Sequence, residues 1–325
     1  MKRFISAALC VLILAGVTAG CGGPTPDNGK LSIVVTIFPE YDWVMQILGD
    51  GKDRADVTML LDNGVDLHSY KATADDIIKI STCDMFVYVG GESDGWVTDV
   101  LAGAKNKSMT VVNLLEALGD DAKEEETGEG MQEEEHDHDD GDGEEGLEYD
   151  EHVWLSLKNA EKLCRCIAGK LGVIDAEHKD EYAENVNAYI EKLRVLDAKY
   201  AEAVAAAGKK TLLFGDRFPF RYLTDDYGLS YFAAFSGCSA ESEASFETVV
   251  FLAGKVDELG LCAIMQIESA DGKLAATIRD TTKTKDQIIL TLDSMQSTTS
   301  ADVADGASYL SIMEKNLTTL KEALK

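Results

Sequence analysis

Basic residues are scarce in this chain. Lys and Arg total 30 against 59 Asp and Glu, for a formal charge of −29 and a pI of about 4.4. That balance makes nucleic acid and anionic membrane surfaces poor partners and concentrates cations nearby. Long apolar runs are also missing. The one candidate, Phe4–Val17, is too short and wrongly flanked for an ordinary membrane span. No H-E-x-x-H motif and no nucleophile–base arrangement occurs, so the usual signatures of a surface hydrolase are absent. Histidine is restricted to positions 68, 136, 138, 152 and 178. Of the seven cysteines, Cys10 and Cys21 lie in or beside the leader. The other five, an odd number, have no disulfide-framework spacing. Cys164 continues the apolar stripe of Leu157, Ala160, Leu163, Ile167 and Leu171 and reads as core, and Cys83 and Cys262 flank apolar runs. A thiolate site from Cys164 and Cys166 is the alternative weighed for that pair.

What is present fits two medium α/β domains. The 325 residues suffice for two cores, and 45% hydrophobic with 27% charged residues is ordinary for a globular protein. Met1–Lys2–Arg3 before the apolar Phe4–Val17 reads as a secretory signal over residues 1–20. Thr18–Ala19–Gly20–Cys21 resembles a bacterial lipobox, so Cys21 is expected to carry lipid. Residues 21–29 then form a tether, and the protein is anchored outside the cytoplasm.

Between positions 176 and 207 no proline or glycine occurs. Tyr182, Val186, Tyr189, Ile190, Leu193, Leu196, Tyr200 and Val204 recur there at steps of three and four, the period of an amphipathic helix. We expect one long helix tying a lobe at 30–175 to a lobe at 208–325. Strand and helix alternate on both sides, four units each, the pattern of parallel sheets covered on both faces. Strands are expected over Lys30–Phe38, Asp56–Leu61, Met85–Gly90, Thr110–Leu114, Lys210–Phe214, Leu229–Phe235, Leu261–Glu268 and Gln287–Leu292. A helix is expected over most of Val153–Leu171. Residues 119–150 are nearly all Asp, Glu and Gly and read as a disordered acidic loop. In it, His136 and His138 with many carboxylates would hold divalent cations weakly. Ligands of open parallel sheets bind beyond the strands' carboxyl ends, which singles out the residues after Leu61, Phe214, Ile267 and Leu292.

His68 lies in a polar loop past a strand, and His152 stands where the acidic loop hands over to ordered structure. A loop histidine is commonly a surface or capping residue, but these placements suit ligands for Zn²⁺ or Mn²⁺. Asp293 is at a strand end where the lobes should face each other; the alternative is a capping aspartate.

Several stretches resemble the zinc/manganese-type solute-binding lipoproteins of ABC transporters. Gly64–Val65–Asp66–Leu67–His68–Ser69–Tyr70 with Asp75–Asp76–Ile77 is similar to their first-ligand motif. Asp150–Glu151–His152–Val153–Trp154–Leu155 is similar to the second. Tyr88–Val89–Gly90–Gly91–Glu92, Tyr222–Leu223, Tyr227–Gly228–Leu229, Leu292–Asp293–Ser294–Met295 and the stretch from Tyr309 to Leu317 extend the match. The resemblance implies two (β/α)4 lobes joined by one backbone helix, a monomer, and no enzyme activity. It implies delivery of Zn²⁺, with Mn²⁺ or Fe²⁺ as alternative cargo, to an ABC permease and its ATPase. It also implies His68, His152 and Asp293 as ligands. Other classes kept open are a metallo-hydrolase and an adhesin-like lipoprotein with a structural metal. The third-ligand position departs from the pattern: the family has His or Glu where this chain has Arg217, which offers no lone pair. Asp216 is the expected replacement, with Arg217 turned away. Alternatively, Arg217 faces the site and pairs with Asp293 or Glu243. Glu241 and Glu243 are the reserve donors.

Overall fold

The computed structural model describes residues 29–132, 148–239 and 243–325. The leader, Cys21, His136, His138 and Glu241 lie outside the described residues. Eight strands occur among those described, in two sheets of four. The first holds β1 (Leu31–Val35), β2 (Ala55–Met59), β3 (Met85–Tyr88) and β4 (Thr110–Asn113) in the order β2-β1-β3-β4. The second holds β5 (Thr211–Phe218), β6 (Ser230–Ser236), β7 (Ala263–Gln266) and β8 (Ile288–Thr291) in the matching order β6-β5-β7-β8. Every strand pairing is parallel. Ile33, Val34 and Val35 on β1 and Met85, Phe86 and Val87 on β3 are buried, as strands covered on both faces require.

The helices are α1 (Phe38–Leu48), α2 (Ala74–Thr82), α3 (Val97–Ala102), α4 (Leu114–Leu118), α5 (Leu157–Ile174), α6 (Lys179–Ala206), α7 (Arg221–Tyr227), α8 (Phe246–Leu259), α9 (Lys273–Thr281), α10 (Ser300–Ala304) and α11 (Tyr309–Ala323). The long helix is α6. Its 28 residues bury the eight apolar positions named from the periodicity, and it runs about 42 Å. It packs on α1 and α5 from the first lobe and on α7 and α11 from the second. Tyr200 clamps one contact by donating its hydroxyl to the Met313 carbonyl at 2.6 Å. The buried Trp43 meets Tyr309 edge-on at 5.3 Å, so the core runs continuously from one lobe into the other.

Three departures from the sequence expectation bear on function. First, the helix expected over most of Val153–Leu171 begins only at Leu157. Val153–Leu155 forms one 3-10 turn, and α5 starts afresh where the Ser156 hydroxyl caps Asn159. Second, β5 runs four residues past its expected end. Its register with β6 shifts between Phe214 and Arg217, a bulge that re-aims the strand's last side chains. Third, the acidic segment was expected to be disordered from 119 to 150, and its described ends are built structure. Gly119–Asp121 is a 3-10 turn, and Glu124 bridges to Tyr149. Met131 is buried, and the Gln132 amide donates to the Ala234 carbonyl of β6. Residues 122–132 thus run from the first lobe onto the second, because the few non-acidic residues there find partners that local composition does not reveal.

Candidate metal centre

Both candidate histidines are held from the same ring nitrogen. After β2 the chain reaches a one-turn 3-10 helix, Leu67–Ser69, anchored by the buried Leu67. Asp66 caps it by accepting the His68 amide at 2.9 Å. The His68 ring places Nδ1 2.8 Å from Ser93 Oγ and 3.4 Å from Glu151 Oε2. Asp150 Oδ1 accepts both the His152 amide at 2.9 Å and His152 Nδ1 at 3.0 Å. The buried Val153, Trp154 and Leu155 seat this turn in the core, and the His152 ring is fully buried. With Nδ1 occupied on each ring, the two Nε2 atoms converge to 3.1 Å. Carboxylates on the far nitrogen fix ring orientation and raise donor basicity, the arrangement found behind metal-ligating imidazoles.

The first lobe braces this pair further. The Ser93 amide donates to Glu151 Oε1 at 2.8 Å. Gly91 has φ +84°, and a Cβ there would lie 2.4 Å from Glu151 Oε1, so only glycine lets this loop close over the carboxylate. Burial, then the adjacent His152, holds His68 down to about 3. Burial pulls His152 the same way, but Asp150 and Glu151 outweigh it and its net shift is upward. A neutral His68 faces the site as a lone-pair donor.

The second lobe brings one further ligating side chain close to this pair. Among the described residues, one group of metal-ligating side chains has its donor atoms all within 4.8 Å of one another: His68, His152 and Cys238. Cys238 follows β6. Its amide donates to Glu125 Oε1 at 3.0 Å, so the acidic segment positions it. Burial, with Asp150 and Glu125 nearby, pushes its thiol upward.

Asp216 and Asp293 do not join this group. Asp216 accepts the Arg217 amide at 2.8 Å on one oxygen and the Ile267 amide at 3.0 Å on the other, which ties the bulge to β7. Arg217 does not turn away. It donates to Asp66 Oδ2 at 2.7 Å and to the Ser239 carbonyl at 3.1 Å, so its carboxylate partner belongs to the opposite lobe and is neither Asp293 nor Glu243. Burial would raise Asp66, but the Arg217 charge prevails and holds it low. Asp293 accepts the Met295 amide at 2.9 Å within its own loop, and Met295 takes a left-handed φ of 63°. Glu268 braces that loop through Ser294 and Gln296. Burial first, then the Glu268 charge, raises Asp293 to about 6. The loop touches the His152 turn through Trp154, whose indole donates to the Ser294 carbonyl at 2.8 Å.

Cys164 is buried in α5, as its stripe implied, and neither it nor Cys166 belongs to the convergent group. Cys238 stands where the strand-end rule itself points, outside the four ends the sequence reading takes up. The carboxyl ends of four strands were singled out, and that of β6, where Ser236–Gly237–Cys238 stands, was not.

A family model described as the periplasmic component A of the zinc-uptake complex matches residues 33–323. The zinc-binding lipoprotein AdcA of Streptococcus pneumoniae is 34% identical over 99% of this chain, and the match covers 61% of AdcA. This chain therefore spans under two thirds of that relative. The high-affinity zinc uptake system protein ZnuA of Bacillus subtilis is 30% identical over 99% of this chain and 96% of its own length. The crystal structure of the Zn(II)-bound ZnuA-like domain of Streptococcus pneumoniae AdcA superposes with a TM-score of 0.71 at 31% identity. It covers 91% of this chain and 99% of that domain. A mutant structure of the laminin-binding adhesin Lmb from Streptococcus agalactiae shares the fold, with a TM-score of 0.75 at 24% identity over 91% of this chain and all of that one.

Proposed function

The chain belongs to the family of periplasmic A components of zinc-uptake complexes, and from that premise we propose that it captures Zn²⁺ outside the cytoplasm and passes it to an ABC permease. The family is one of transport components, not of enzymes. His68 and His152 are the proposed ligands of the first lobe. The observation that carries this reading is the pair of Nε2 atoms 3.1 Å apart, each on a ring whose Nδ1 is already engaged. Two imidazole nitrogens aimed at one point, each a lone-pair donor once its proton is lost to the metal, favour a borderline cation such as Zn²⁺ over oxygen-seeking Mn²⁺. The lobes at 30–175 and 208–325, the linking helix at 176–207 and the monomeric state are part of the same proposal. So are lipidation at Cys21 and a place on the outer face of the cell membrane.

The experiment is a competition titration on the metal-free chain starting after Cys21, with Zn²⁺, Mn²⁺ and Fe²⁺. One Zn²⁺ is expected to bind tightly, with Mn²⁺ far weaker. His68→Ala and His152→Ala should each weaken Zn²⁺ at least a hundredfold, about 2.8 kcal/mol. Unchanged affinity in either variant removes that histidine from the site.

A further inference from the structure

We propose that Cys238 is the second lobe's metal ligand, binding through its thiolate, so that the cargo site is a two-histidine, one-cysteine centre selective for thiophilic cations. The inference rests on the zinc-capture reading and deepens it. The place is marked by the buried imidazole pair, and the cysteine is the donor brought to it. A tetrahedral Zn²⁺ with its usual bond lengths sets two nitrogens about 3.3 Å apart, and a nitrogen and a sulfur about 3.6 Å apart. The imidazoles stand at 3.1 Å, and Sγ lies within 4.8 Å of both. Closing the remainder takes at most about 1.2 Å of loop movement by that same geometry.

The chain around Cys238 is built for close approach. A Cβ on Gly237 would lie 3.1 Å from two atoms of the His152 ring and 2.9 Å from the Phe218 carbonyl. Glycine alone lets this backbone lie against the ligand ring. Glu125 then fixes the next amide. The rival donors nearby are engaged otherwise: Asp216 by two backbone amides, and Asp66 by Arg217 and the His68 amide. Where the resemblance expects a nitrogen or carboxylate donor, the guanidinium of Arg217 crosses to Asp66. The second lobe's contribution passes to the next strand end.

Binding is written Cys–SH plus Zn²⁺ giving Cys–S–Zn, with the proton released to solvent. Three protein ligands leave one position of a tetrahedral ion for water or a carboxylate, which suits a cargo that must leave again. Because two ligands come from the first lobe and one from the second, the ion ties the lobes together while bound.

The test uses Co²⁺ as a spectroscopic substitute on the metal-free chain starting after Cys21, wild type and Cys238→Ser. The expected result is one tightly bound Co²⁺ with an intense near-ultraviolet thiolate-to-cobalt band. Cys238→Ser should lose that band while keeping the weaker visible bands. Zn²⁺ affinity should fall at least tenfold in Cys238→Ser and Cys238→Ala, and Mn²⁺ affinity less than threefold. Tight Co²⁺ binding that needs His152 but shows no thiolate band in the wild type overturns the cysteine ligand and leaves zinc capture standing. A band that persists in Cys238→Ser does the same. No tight binding by the wild type overturns both. The wild-type spectrum decides even where a variant fails to fold.

Discussion

Buried acids lie behind the two histidines, and their cost is visible residue by residue. Asp94 is buried beyond β3. One oxygen accepts the Gly90 amide at 2.9 Å, and the other has no hydrogen-bond partner. Burial raises this carboxyl to about 7, opposed by the Gly90 amide and helped by the Glu151 charge. The folded state therefore holds a proton on Asp94 that the unfolded chain has lost, across the window from about 4 to 7. The unfolded state binds fewer protons there, so stability falls as pH rises through the window and levels off above it. Asp94→Asn keeps an oxygen for Gly90 and carries no charge. The metal-free variant should be more stable than wild type at pH 8, by up to roughly 4 kcal/mol for a shift of this size. The gap should close below about pH 4. Urea unfolding at pH 4, 6 and 8 checks this, and a pH-independent gap overturns it.

At the scale of elements, the strap formed by residues 122–132 has the most direct consequence. It crosses to the second lobe through Lys123, whose amide donates to the Tyr222 hydroxyl, and through Arg221, which reaches the Glu124 carbonyl. The same Tyr222 hydroxyl donates to the Asp150 carbonyl, so one side chain links the strap to the histidine turn. Glu125 then holds the Cys238 amide. The described part of the acidic segment is thus tied to the site. Replacing residues 133–147 by a Gly/Ser run of equal length should leave tight Zn²⁺ affinity within about twofold, removing only weak extra binding, since a run of carboxylates adds local cation concentration. Glu125→Ala should weaken tight binding about three- to tenfold, the net cost of about one ordinary hydrogen bond. Zn²⁺ competition titrations on both variants decide, and the opposite ranking of the two effects contradicts the assignment.

Over the whole molecule, the −29 charge acts on encounter more than on retention. A cation approaching the protein is drawn by the summed field, and salt screens that field over about 10 Å at 0.1 M. An ion held by His68 and His152 would lie beside the buried Asp150, Glu151 and His152, where screening is weak. Raising monovalent salt from about 20 to about 500 mM should lower the Zn²⁺ association rate by about tenfold and leave dissociation within about twofold. Stopped-flow exchange against a fluorescent chelator separates the two rates. A salt-independent association rate shows that the field does not reach the entrance.

The sequence by itself determined the elements. The apolar spacing of Tyr182 through Val204 marked α6, and the β-rich runs marked eight strands, because helix and strand periods are properties of neighbouring residues. Motif resemblance brought forward His68 and His152, which the fold sets 3.1 Å apart across 84 residues of chain. The second lobe's share of the site was decided only by tertiary structure. The bulge in β5 turned Asp216 onto Ile267 and sent Arg217 to Asp66, a partner 151 residues away. The short, glycine-led turn after β6 brought Cys238 beside the imidazoles, and the acidic strap held it there. Local sequence carries no record of these pairings. Each depends on the direction a side chain takes from a backbone irregularity and on the partner the opposite lobe presents. Both are set only when the two lobes pack against α6.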